Sequence, residues 1–103
     1  MSHTRRRQPH ATRRQQAIAR DMAAQIGCDD PELLWLLEDM QIFRGNDACL
    51  VEIAHECLSL LTRPDDEGVE MTPEAERFLR IVRRRVSDEA YEEIEAFFSN
   101  WDS

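Results

Sequence analysis

The chain has 103 residues, 42% hydrophobic and 33% charged, and its 13 basic residues, all arginine, face 21 Asp and Glu for a net charge of −8. That is one domain's worth of near-average globular composition, which excludes a disordered, collagenous or disulfide-stapled protein. A chain this size buries roughly 60 to 70% of its unfolded surface, enough for one modest core but not for a core and a deep catalytic cavity together.

The predicted elements are all helical. Residues 1–11 hold three Arg, two His and a Pro and little that is apolar, the composition of a flexible arm. Thr12 is placed to cap a first helix over 12–27, where Ile18, Met22 and Ile26 recur every four residues beside Ala19 and Ala23, and Gly27 ends it. Asp30-Pro31-Glu32 is a start signal: a capping side chain, a proline whose missing N–H costs nothing there, and an acid at the positive end of the dipole. The second helix, 31–44, places Leu33, Leu36, Leu37, Met40 and Phe43 on one arc and Trp35 and Ile42 together on the opposite side, between Glu38 and Asp39. It is apolar on two faces.

Asn46-Asp47 opens a third helix, 47–62, in which Leu50, Ile53, Ala54, Cys57, Leu58 and Leu61 keep helical spacing over three turns. This is the expected core helix. Residues 63–71 combine Pro, Gly and four acids and read as a long surface loop. A fourth helix, 73–86, starts at Thr72-Pro73-Glu74, buries Ala75, Phe78, Leu79, Ile81, Val82 and Val86, and ends in Arg83-Arg84-Arg85, cations at the negative end of its dipole. Ser87-Asp88-Glu89 starts a fifth, 88–101, with Tyr91, Ile94, Phe98 and Trp101 on one arc, Ala90 and Phe97 beside them, and Glu89, Glu92, Glu93 and Glu95 elsewhere. Val86 is set to pack on Tyr91 across that corner. No stretch alternates with period two. The fold class is therefore all-α: a compact bundle of four to five short helices over residues 12–103, preceded by a basic arm over 1–11. Its core centres on Leu36, Met40, Leu50, Ile53, Cys57, Leu61, Phe78, Val82, Ile94 and Phe98.

Little here signals chemistry. The longest apolar run, Leu33 to Leu37, is far short of the roughly 20 residues that cross a bilayer. No apolar secretory stretch follows the basic amino terminus, so the expected location is cytoplasmic, away from membranes. Cys28, Cys49 and Cys57 are odd in number and lack CxxC spacing, which favours small core hydrophobes over disulfides or a zinc ribbon. Glu52-x-x-His55 resembles half of a di-iron carboxylate motif, but it occurs once and falls on the polar side of its helix. His55 and Cys57 lie two residues apart, which on a helix sends the side chains in divergent directions. The three glycines are isolated and form no phosphate loop. No catalytic residue, metal site or cofactor is assigned, and an enzyme is not expected.

Two binding features remain. The leading expectation is a small regulatory protein that acts by stoichiometric binding to another protein, as anti-activators, inhibitors and immunity proteins do. Its anchors would be Trp35, Ile42, Phe97, Phe98 and Trp101, and a homodimer would use the same residues. The competing placement of Trp35 and Ile42 is internal burial by the arm, by the first helix or by the fifth. The alternative function is a nucleic-acid-binding regulatory protein. Residues 1–20 hold six arginines and no acid, whereas 21–103 hold seven arginines and all 21 acids, so the arm's Arg5, Arg6 and Arg7, with Arg13 and Arg14, could act with a stripe of Arg77, Arg80 and Arg84 on the fourth helix. Against this, the fifth helix sets five acids beside that stripe, and the arginines have an alternative use in surface pairs with them or with the loop acids.

Overall fold

A computed structural model describes the backbone of residues 11–65 and 68–99 and the side chains of 11–63 and 70–98. Among these residues there are five helices: α1 (Arg13–Ile26), α2 (Pro31–Ile42), α3 (Asp47–Leu61), α4 (Pro73–Arg83) and α5 (Asp88–Ser99). The all-α reading is correct in class. The 63–71 stretch departs from it, because β1 (Arg63–Asp65) pairs antiparallel with β2 (Gly68–Glu70) in a two-stranded ribbon, with Arg63 opposite Glu70. Three-residue strands are too short to show an alternating pattern, so only the pairing of the backbone reveals them.

Local chemistry sets the helix starts. Thr12 and Gln15 form a reciprocal capping box, the Thr12 hydroxyl accepting from the Gln15 N–H at 3.1 Å and the Gln15 side chain accepting from the Thr12 N–H at 2.8 Å. The cap matters because Arg13 and Arg14 sit in the first turn, with no acid to oppose them, at the positive end of the dipole. Asp30, Asn46 and Thr72 cap α2, α3 and α4 by accepting from Glu32, Cys49 and Ala75. Thr72 also donates to the Leu61 carbonyl, tying the end of α3 to the start of α4. At the head of α5, Ser87 accepts from the Ala90 N–H at 3.1 Å and donates to Asp47 at 2.7 Å, which pins α5 beside the first turn of α3.

The ends are less regular. α2 stops at Ile42, not Arg44, because Phe43 to Asn46 turn the chain through Gly45 at φ 91°. α4 stops at Arg83, three residues early: the Arg84 and Arg85 N–H groups bond three residues back, tightening into the corner before α5. Val86 and Tyr91 flank that corner, both half-buried against the core.

One apolar core draws on all five helices. α3 runs through it and packs on α2, α4 and α5, while α1 pairs with α2 as a helical hairpin and also touches α4. Leu36, Met40, Leu50, Ile53, Cys57, Leu61, Phe78, Val82 and Ile94 are buried as expected. Phe98 is not: it is half-buried at the margin. Cys57 is buried, whereas Cys28 and Cys49 are only partly so.

Candidate protein-binding surface

α2 begins from a sequence apolar almost all round, and its neighbours decide which parts are covered. α1 and α3 flank it, so the buried arc is wide enough to take in Asp39 and Gln41 along with the leucines. Asp39 thus leaves the outer face where helical geometry alone put it. Gln41 is satisfied by donating to the Met22 sulfur and to the Leu37 carbonyl, both at 3.2 Å. What remains outside is Trp35, 58% exposed, with Leu34, Glu38 and Ile42 half-buried around it. Trp35 is the most exposed large hydrophobic residue among those described. A neighbouring helix does not bury it.

Beside this face, α1 and α2 leave an open groove lined by Ala23, Ala24, Cys28 and Leu34, with Arg20 and Asp30 at its edges. Around the Gly27–Asp29 corner a second groove contains Leu60 and Met71, 36% and 44% exposed. Sequence reasoning missed both of these residues. Leu60 lies one position off the core pattern of α3 and was the available signal; Met71 sits at the end of a stretch that reads as polar loop.

α5 gives the opposite outcome. Phe97 and Phe98 are half-buried against the core and meet edge to face, ring centres 5.3 Å apart. Phe97 also lies 5.8 Å from the His55 ring, and His55 Nε2 is 2.9 Å from the Glu93 carbonyl. His55 therefore docks α3 on α5 and is half-buried, which corrects its placement on a purely solvated face; Glu52 remains exposed. The main packing partners of α5 are α3 and α4, and those of α2 are α1 and α3. Trp101 lies outside the described residues.

The arginine stripe is partly occupied. Arg77 donates to the Ile26 carbonyl at 2.8 Å, capping the negative end of α1. Gly27 suits the position because its φ is +87°, and an added Cβ would also stand 3.0 Å from that guanidinium and press it to shift. Arg80 is 3.6 Å from Glu76 in its own helix, not from α5, with both side chains well exposed. Arg83 stacks over Tyr91, 5.3 Å from the ring centre. Burial pushes the Tyr91 hydroxyl above its usual range, the Glu95 carboxylate adds to the effect, and Arg83 opposes it. Arg77, Arg80 and Arg84 do line one open concavity with Gln25 and Ile81. Arg13 and Arg14 are exposed on α1, and Arg5, Arg6 and Arg7 lie outside the described residues.

Among the described residues no three His, Cys, Asp or Glu side chains gather to hold a metal, and no helix is long and apolar enough to cross a membrane. Comparison with protein families, with curated proteins and with solved structures returned no match.

Proposed function

We propose that this is a small cytoplasmic regulatory protein acting by stoichiometric binding to another protein. The observation that carries the reading is Trp35, held on the outer face of a rigid, doubly packed helix between half-buried Leu34 and Ile42. An exposed tryptophan on a pre-ordered element is the commonest kind of interface anchor, since it offers large area with little entropy left to lose. The strongly acidic body would speed encounter with a complementary partner and exclude others. Phe97 and Phe98 support the fold of α5 first and offer only their exposed edges to a partner.

The test compares the intact chain with Trp35→Ala by light scattering and by affinity capture from nuclease-treated lysate. Loss of a stoichiometric complex or of self-association in the variant, with its helical content retained, is the expected result. Unchanged association in both assays, with Trp101→Ala equally silent, sinks the reading.

A second reading, nucleic-acid binding, draws on the concavity shared by Arg77, Arg80 and Arg84. Two of these are already engaged, by the Ile26 carbonyl and by Glu76, which weakens it. Its signature would be affinity falling steeply with salt, as each neutralised phosphate releases a counterion, and falling again when residues 1–11 are removed.

A further inference from the structure

The outer face of α2 has a charge pattern as well as an anchor. Residues 29–39 contain five acids and no arginine. Of these, Asp29 and Asp30 are exposed at the head of the α1–α2 groove, and Glu38 stands one turn from Trp35 on the uncovered arc. The apolar part has two sides: Trp35 and Ile42 lie two turns apart along α2 with Glu38 between them, and Leu34, about 100° round the helix, joins Ala23 and Ala24 in the adjoining groove, whose lining includes Arg20 as its one cation beside Asp29 and Asp30. An apolar face with an exposed tryptophan, edged by three acids against one arginine, is complementary to a helix that presents an apolar stripe flanked by cations.

We infer that this face receives a basic amphipathic helix from a partner protein, its apolar stripe laid against Trp35 and Leu34 and its Lys or Arg side chains meeting Asp29, Asp30 and Glu38. This rests on the protein-binding reading and names the partner's chemistry. A second copy of the chain fits less well, because two faces with the same acids would meet like charge to like charge. An anionic membrane surface is repelled for the same reason.

The probe is a leucine-lysine amphipathic helical peptide of about four turns, with its leucine-glutamate counterpart as control. Trp101→Phe in the full chain leaves Trp35 as the sole tryptophan. The expected result is a saturable blue shift of Trp35 emission at one peptide per chain, with the glutamate peptide at least tenfold weaker. By calorimetry, Trp35→Ala weakens the lysine peptide at least tenfold, and the pair Asp29→Asn with Glu38→Gln weakens it several-fold. Neutralising Glu89 and Glu92 on α5 changes it less than twofold.

Equal binding of the two peptides, or equal losses from neutralising α5 and α2, overturns the inference while leaving Trp35-dependent binding standing. So does a dimer that Trp35→Ala dissolves, which makes a second copy the occupant. A tenfold gain in peptide affinity on deleting residues 1–10 overturns it as well, by making the chain's own arm the occupant. If Trp35→Ala alters neither peptide binding nor any other association, the protein-binding reading fails with it.

Discussion

α2 and α5 are both short helices of 12 residues carrying large aromatics away from their main core positions, yet they end differently. On α5, Phe97 meets both Phe98 and His55, and the helix is held at its head by Ser87 and along its length by the contact between His55 and the Glu93 carbonyl. On α2, the two neighbouring helices use up the rest of the circumference, and Trp35 is left facing out. An aromatic surplus is thus not in itself a binding site. What matters is whether a neighbour carries a group at the right height to meet it.

The sharpest way to test this contrast is to weaken α5 at its root. Ile94 is fully buried, and Ile94→Ala should lower unfolding free energy by about 2 to 5 kcal/mol, the range for such truncations in cores. Urea denaturation followed by circular dichroism measures it. Phe98→Ala comes next, at about 1 to 3 kcal/mol, below the usual cost of a core phenylalanine because the ring is only half-buried. Trp35→Ala should cost least of the three, about 1 kcal/mol or less, because most of the side chain is exposed. If Trp35→Ala cost as much as Phe98→Ala, the two helices would be doing the same job and the contrast would collapse.

The smallest effect concerns pH. Tyr91 is the only tyrosine, and burial holds its hydroxyl above the ordinary value in the folded state. The folded state therefore favours the neutral phenol. Its contribution is fully present below the unfolded tyrosine value, near 10, and is lost as pH rises through the raised folded value. Wild type should lose more stability than Tyr91→Phe between neutral pH and that alkaline range. Denaturation midpoints of the two proteins falling in parallel would show that Tyr91 contributes no such linkage.

Much of the fold was legible because its signals are local. The sequences Asp30-Pro31-Glu32 and Thr72-Pro73-Glu74 announced helix starts that the caps bear out, and the spacing from Leu50 to Leu61 marked the central helix. The helix ends were less legible, since Arg84 and Arg85 differ from a continuing helix only in backbone geometry that no side chain dictates. The surface was legible only in part. Trp35 could be singled out as lying off the core arc, but whether a neighbour covered it was open, and the grooves beside Cys28, Leu60 and Met71 join residues from separate elements.

Arg77 shows the same division. Periodicity put it on an exposed stripe with Arg80 and Arg84, and it does line their shared concavity, but 51 positions back along the chain it found the Ile26 carbonyl and became a helix cap. The sequence alone determined the class, the helix starts, nearly all of the core and the split between basic arm and acidic body, because those follow from residue type and spacing along one chain. The exposure of Trp35, the docking of His55 and Phe97, the burial of Asp39 and the engagement of Arg77 were decided only by tertiary structure. Each depends on which second helix arrives beside the first, and packing, unlike periodicity, is a property of pairs distant in sequence.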